Sequence, residues 1–244
     1  MSIEFDNNKK AIINPFGFTD KKIPKVAISC YTKKIIDSLL EKYNGKLLGK
    51  VSKTLIYKIE YNGEEFATFL SPVGSPWAVM VLEDLISMGL EKIIYFGTCG
   101  VLDNTQEYEI LIPTKSKREE GTSYHYIKNK KYIDINPKYK KEFIELLKKE
   151  NFAYKMCKTW TTDAPYRETK DKVDRYIKLG ITAVDMEASA LAAIGIFRNV
   201  DVFIFFYAND ILKNGKWDKR CLGDDNSKKM YFGEIALKLA SLIN

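Results

Sequence analysis

The run VDVFIFFYA, residues 200–208, constrains the fold of this chain more than any other feature. Apart from one aspartate it is apolar on both faces, whereas a strand with one face in water alternates apolar and polar side chains. Helices must therefore cover both sides of the sheet that contains it. The run predicts a central strand of an α/β protein.

The rest of the chain supplies the strands and helices that such a sheet needs. The run KVAIS, residues 25–29, predicts a first strand, and the hairpin signal Asn62-Gly63 predicts a mixed rather than wholly parallel sheet. In SPWAVMVLEDLISMG we expect a helix with Ser75 as N-cap and Pro76 at its first position. Further helices are predicted over residues 33–43, 137–150, 167–180, 187–199 and 228–243. With 244 residues and no linker or repeat, the chain is expected to form one domain over residues 1–244.

Composition and charge argue against several classes of protein. The net charge of +7 comes from lysines interleaved with acidic residues, which is typical of a solvated surface rather than a nucleic-acid interface. No stretch reaches the roughly 18 apolar residues of a membrane span, and the first residues lack a signal-peptide pattern, so we expect a cytoplasmic protein. Four separated cysteines and one histidine, His125, argue against a disulfide framework, a metal site or a histidine-based triad.

Polar groups replace the apolar pattern at four predicted strand ends: Gly97-Thr98, Thr161-Thr162-Asp163, Asp185-Met186-Glu187 and Asn209-Asp210. Each pattern alone is equally typical of helix capping or of a strand that simply stops. Together they predict one site, because ligands of α/β sheets bind beyond the carboxyl ends of the strands. A carboxyl group beside very apolar strands is poorly solvated and can act as an acid, and Asp210 is the best candidate.

The same segments carry a resemblance to a known family. Five motifs occur in its order: FGTCGVL, REEGTSYHY, TTDAPY, VDMEASAL and YANDIL. This order resembles the purine nucleoside and uridine phosphorylases, over nearly the whole chain, and VDMEASAL is its most specific part. The resemblance implies a three-layer α/β/α sandwich with a mixed, partly barrel-like central sheet. It also implies attack of phosphate on the nucleoside, giving free base and ribose 1-phosphate, with phosphate as co-substrate and no metal or organic cofactor.

The resemblance assigns roles to individual residues. Glu187 would accept hydrogen bonds from the ribose hydroxyls, and Met186 would pack against the sugar. Thr98 would bind phosphate, assisted by backbone amides of a turn at Gly97. Asp210 would protonate or hydrogen-bond a purine ring nitrogen.

On the phosphate side the sequence departs from the family. Tyr95 stands where the phosphorylases have an arginine before the strand-end glycine, and SCYTK replaces their Gly-Asp-Pro-x-Arg turn, with Lys33 at the arginine position. No counterpart of the arginine lent by a neighbouring subunit is found, although Lys50 and Lys53 lie close to its place. Lysine binds phosphate as a point charge without the two-pronged guanidinium grip, so weaker phosphate binding is expected.

The base side also departs from the family pattern. Pro165 replaces the aromatic residue that usually stacks on the base, and Thr169 and Asp171 replace the residues that read uracil in uridine phosphorylases. We therefore expect a purine rather than a uridine pocket. Three other side chains are candidates for stacking on the base: Tyr166, Arg167 and Trp160.

The same residues leave two alternative functions open, and the resemblance implies an oligomer. A nucleosidase would use water, but members of that kind carry a glutamate base after the first strand, where this chain has Lys33 and Lys34. A binding module without catalysis has little need for both Glu187 and Asp210. The family builds dimers, often three to a hexamer, so a homo-oligomer is expected.

Overall fold

The computed structural model describes residues 4–15, 23–220 and 226–244. The described residues form seven α-helices: α1 (Lys33–Lys42), α2 (Ser75–Ser87), α3 (Ser123–Tyr126), α4 (Lys140–Lys149), α5 (Lys170–Lys178), α6 (Ala188–Arg198) and α7 (Asn226–Ile243). They also form eleven strands: β1 (Val26–Cys30), β2 (Lys46–Val51), β3 (Thr54–Tyr61), β4 (Glu64–Leu70), β5 (Lys92–Val101), β6 (Ile110–Glu119), β7 (Tyr132–Asp134), β8 (Tyr154–Thr162), β9 (Ala183–Asp185), β10 (Asp201–Lys213) and β11 (Lys216–Asp218). A 3₁₀ turn, Pro165–Arg167, precedes α5.

All the strands belong to one mixed sheet, which confirms the predicted fold class. Its order is β11-β10-β6-β8-β9-β5-β1-β4-β3-β2, with β7 on β6. The sheet combines parallel pairs, such as β1 with β5 and β10 with β5, with antiparallel pairs such as β3 with β4. Because β10 pairs with β5 as well as β6, five strands form a ring-like part, although the sheet does not close into a barrel.

The central strand β10 is covered on both faces, as the sequence predicts. On one face Phe203 and Phe205 pack against Phe143 of α4, with ring centroids 5.2 and 4.8 Å apart, in the core that α1 and α7 complete. On the other face Ile204 and Phe206 join the core formed with α2 and α6. Burial of both faces removes apolar surface from water, which is the main force that holds the two helical layers on the sheet.

Several predicted boundaries were wrong. Strand β5 does not end at Gly97 but continues to Val101, because β10 pairs with it as far as Cys99 and again at Val101, and β9 pairs with Gly100 and Val101. Strand β10 also continues past Asp210 and turns through Asn214-Gly215 into β11. Gly74, rather than Ser75, is the N-cap of α2, so Pro76 is the second residue of that helix. Pro137 precedes α4 by three residues instead of opening it.

Two further observations concern the described residues only. None of their helices combines the length and apolar content that a membrane crossing requires. Cys30, Cys99 and Cys157 are buried free thiols, whereas Cys221 lies outside the described residues.

Candidate active site

A cavity of about 450 Å³ opens on one side of the sheet, where β5, β9 and β10 come together. Most of the predicted site segments contribute to its wall. The lining residues are Tyr31, Val73, Thr98, Cys99, Gly100, Pro165, Tyr166, Glu168, Val184, Asp185, Met186, Glu187, Asp210, Leu212 and Trp217. The structure thus brings together the predicted residues Thr98, Met186, Glu187, Asp210 and Tyr166.

Asp185 holds the segment between β9 and α6 in place. One carboxylate oxygen accepts the backbone N–H groups of Glu187 at 2.9 Å and Ala188 at 2.7 Å. The other accepts the hydroxyl of Thr159 at 2.6 Å. Burial raises the pKa of Asp185, and these hydrogen bonds oppose the shift. The carboxylate of Asp185 therefore holds this turn in shape, and the turn directs Glu187 into the cavity.

Glu187 lies between α6 and the start of α2. Its Oε1 accepts the backbone N–H of Gly74 at 2.6 Å, while Ser75 donates its hydroxyl to the Met186 carbonyl at 2.7 Å. Gly74 has φ +98°, a conformation that strains other residues, so glycine is needed to point this N–H at the carboxylate. Burial raises the pKa of Glu187 to about 8, against the lowering effect of the Gly74 hydrogen bond.

Thr98 lies in the middle of β5 and exposes its side chain to the cavity. The residue before it, Gly97, packs against the ring of Tyr31 so closely that a Cβ there would lie 2.7 Å from Cδ2 of Tyr31. The predicted turn at Gly97 is therefore absent, and its backbone is part of the β5–β10 ladder. Only the Thr98 side chain of this predicted anion site faces the cavity.

Asp210 reaches the cavity from an irregularity in β10. The register with β5 shifts between Ala208 and Ile211, and such bulges redirect side chains beside functional sites. Asp210 is only partly buried, and its Oδ2 accepts the indole N–H of Trp217 at 2.8 Å. Trp217 is placed by the β10–β11 turn, whose Asn214-Gly215 pair is a hairpin signal that the sequence analysis missed.

The three predicted stacking residues lie in different places. Tyr166 is 99% exposed and lies at the cavity mouth, whereas Arg167 does not line the cavity. Trp160 is fully buried outside the cavity, with its ring centroid 4.6 Å from that of Tyr176. The structure therefore does not bring Trp160 to the cavity, because its strand position turns it into the core below α5.

The family model described as the phosphorylase superfamily matches residues 25–238. This chain belongs to that superfamily. This chain is 27% identical over 150 residues to a guanosine phosphorylase from Halorubrum lacusprofundi, a match that covers 59% of this chain and 61% of that protein. It is also 24% identical over 187 residues to a DeoD-type purine nucleoside phosphorylase from Clostridium novyi, covering 75% of this chain and 79% of the relative.

Solved structures of the superfamily share the fold. A purine nucleoside phosphorylase from Toxoplasma gondii, in complex with immucillin-H, superposes with a TM-score of 0.81 at 15% identity, covering 97% of this chain and 98% of that one. A uridine phosphorylase from Vibrio fischeri, complexed with 6-hydroxy-1-naphthoic acid, gives a TM-score of 0.77 at 20% identity, covering 91% of each chain. Because both identities are low, these likenesses establish the fold alone.

On the predicted phosphate side, this member of the superfamily presents tyrosines instead of cations. Tyr31 lines the cavity, and burial together with the charge of Glu187 raises its pKa, so its hydroxyl keeps its proton. Tyr95, at the position of the family arginine, is buried, and its hydroxyl has no hydrogen-bond partner among the described residues. Both hydroxyls can donate hydrogen bonds but carry no charge.

Lys33 does not reach the cavity. It lies at the exposed start of α1, and its Nζ is 2.6 and 2.8 Å from the two carboxylate oxygens of Asp37. Since α1 begins at this residue, its side chain is directed along the helix surface toward the residue one turn later. The structure therefore places Lys33, a predicted phosphate-binding residue, outside the cavity that Thr98 lines.

The cavity is strongly acidic. Among the described residues that line it, four carry carboxyl groups and none is a lysine or arginine. The acidic residues are Glu168, Asp185, Glu187 and Asp210. Glu168 was missed by the sequence analysis because it follows no strand and matches none of the motifs. Such a wall favours a neutral ligand rich in hydrogen-bond donors, or a cationic one, over a free anion.

Proposed function

We propose that this protein cleaves the N-glycosidic bond of purine ribonucleosides by phosphorolysis. Phosphate oxygen bonds to the anomeric carbon, the bond from that carbon to the base nitrogen breaks, and its electron pair leaves with the base, which takes up a proton. The products are free purine and ribose 1-phosphate. The enzyme is thus a pentosyltransferase without a resident cofactor.

The observation that carries this proposal is the position of Glu187 and Asp210 in one cavity. Glu187, anchored by Gly74, offers carboxylate oxygens where hydroxyl donors of a ribose can bind, and Met186 packs beside it. Asp210 faces the same space from β10, where an acid can meet the leaving base. The guanosine and purine nucleoside phosphorylases among the relatives support the choice of substrate.

Base preference is tested with ribonucleosides that differ only in the base. Inosine, guanosine, adenosine and uridine are each incubated with the protein and phosphate, and free base is measured by chromatography. We expect release of at least one purine, and release of uracil at least about 10²-fold slower, since the cavity has no lining amide or guanidinium side chain among its described residues to bind the uracil carbonyls. Faster release of uracil than of any purine would contradict the purine assignment.

Hydrolysis is a second candidate, because one observation favours it. No lysine or arginine is present among the described lining residues, and Lys33 pairs with Asp37 outside the cavity. Attack by water requires no cation to hold the nucleophile, and it releases ribose instead of ribose 1-phosphate. The nature of the sugar product separates the two reactions.

We further propose that a second copy of this chain covers the groove beside the cavity. The groove has a volume of about 470 Å³, shares Val73 with the cavity, and includes Lys33 and Lys53. Its apolar members Leu55, Val73 and Trp77 are 41% to 62% exposed, and apolar surface of this kind is typical of subunit interfaces. Lys33 and Lys53 would then lie between the two copies. The three buried free thiols support a cytoplasmic location, where such an enzyme would serve purine salvage.

A further inference from the structure

Glu168 is a cavity residue whose side chain has no part in the reaction described so far. It lies in the turn between the 3₁₀ turn Pro165–Arg167 and α5, and its backbone N–H donates to the Pro165 carbonyl at 3.2 Å. The side chain is half-buried and lines the cavity together with Asp210, Tyr166 and Trp217. These neighbours place Glu168 at the end of the cavity where the proposed reaction puts the base.

The two carboxyl groups at this end have different surroundings. Asp210 receives the Trp217 N–H on Oδ2, so that oxygen acts as an acceptor. For Glu168, burial and then the negative charge of Asp210 raise its pKa to about 7, while Lys172 on α5 opposes the shift. Below about pH 7 Glu168 therefore carries a proton that it can donate to a ligand.

The rest of the cavity wall does not change this assignment. The other charged groups that line it, Asp185 and Glu187, are negative when ionised and so favour a protonated neighbour. The ammonium group of Lys172 pairs with the carboxylate of Glu119, and this pairing holds the positive charge of Lys172 outside the cavity lining. No lining cation among the described residues stabilises the Glu168 carboxylate.

We propose that Glu168 delivers the proton to the leaving purine, and that Asp210, which lines the same end of the cavity, keeps this proton on Glu168 until the glycosidic bond breaks. This inference rests on the proposed function. As the bond breaks, the electron pair moves into the purine ring, a ring nitrogen takes the proton from Glu168, and Glu168 becomes a carboxylate. Because its side chain is partly exposed, Glu168 regains a proton from water after the base leaves.

The test compares Glu168→Gln and Asp210→Asn with the unmodified protein on two substrates. Guanosine needs a proton on its leaving base, whereas 7-methylguanosine already carries a positive charge there. Asp171→Asn is the matched control, because Asp171 is an exposed acid in the first turn of α5 and does not line the cavity. We expect Glu168→Gln to lower kcat on guanosine by about 10² to 10⁴-fold and to change kcat on 7-methylguanosine by less than about 10-fold.

The pH profile distinguishes the two acids. If Asp210 acts by keeping the proton on Glu168, Asp210→Asn lowers the pH at which Glu168 ionises, so its loss of kcat/KM on guanosine is larger at pH 8 than at pH 6. Two results together would identify Asp210 as the acid and overturn the inference. Asp210→Asn would lose the same factor of activity at all pH values, and Glu168→Gln would be fully active. Equal losses on both substrates for Glu168→Gln would also overturn it. If the unmodified protein cleaves neither substrate, the proposed function is wrong and the inference falls with it.

Discussion

Glu187→Gln is expected to lower kcat/KM on purine ribonucleosides by about 10² to 10⁴-fold while the protein remains folded. The glutamine oxygen can still accept the Gly74 N–H, so the local structure is retained. At pH 8.5, where most of Glu187 is ionised in the unmodified protein, the substitution removes the carboxylate charge, and the amide NH₂ cannot accept a ribose hydroxyl. Two charge-assisted hydrogen bonds of about 1.5 to 3 kcal/mol each give this range of effect.

The measurement is initial-rate kinetics of base release, with circular dichroism of both proteins to verify folding. Glu145→Gln provides the control, because Glu145 is an exposed residue of α4 that does not line the cavity. It is expected to retain the parental rate. A folded Glu187→Gln protein with the parental kcat/KM would show that Glu187 does not bind the ribose.

The same substitution is expected to stabilise the protein at alkaline pH. In the folded protein Glu187 keeps its proton up to about pH 8, whereas its ordinary value is 4.5. Between these values the unfolded chain binds fewer protons than the folded one, so the free energy of unfolding of the unmodified protein falls as the pH rises. The stability associated with the proton is fully present below pH 4.5 and lost as the pH passes about 8. Glutamine does not ionise, so the free energy of unfolding of the Glu187→Gln protein does not fall for this reason as the pH rises.

The full effect is on the order of 4 to 5 kcal/mol, which corresponds to roughly 10 °C in Tm for a chain of this size. Thermal unfolding of both proteins at pH 5, 7 and 8.5 provides the comparison. The Tm advantage of Glu187→Gln over the unmodified protein should grow at each step. Parallel Tm curves for the two proteins would mean that Glu187 is ionised in the folded protein throughout this range.

Local patterns in the sequence were sufficient to predict the sheet and part of the site. VDVFIFFYA is buried on both faces because its residues 203–208 are all apolar or aromatic, and VDMEASAL places Glu187 because its aspartate fixes a short turn. Both signals are contained within a few adjacent residues. The structure of such segments depends little on contacts with the rest of the chain.

The remaining features depend on contacts between distant segments. Strand β5 continues through Gly97 because β10 pairs with it, and no pattern within FGTCGVL records that pairing. Glu168 and Trp217 reach the cavity through a 3₁₀ turn and a hairpin that only the folded chain brings beside Asp210. Lys33 was assigned by its position in a motif, but a closer partner, Asp37, lies one helical turn away.

The most direct test of phosphorolysis follows the sugar product by ³¹P NMR while the protein cleaves guanosine with and without phosphate. We expect guanine to appear only when phosphate is present, at a rate that saturates with phosphate concentration, and a new phosphate-ester signal of ribose 1-phosphate to grow in equal amount. Guanine release at the same rate in phosphate-free buffer, with free ribose as the product, would contradict phosphorolysis and establish water as the nucleophile.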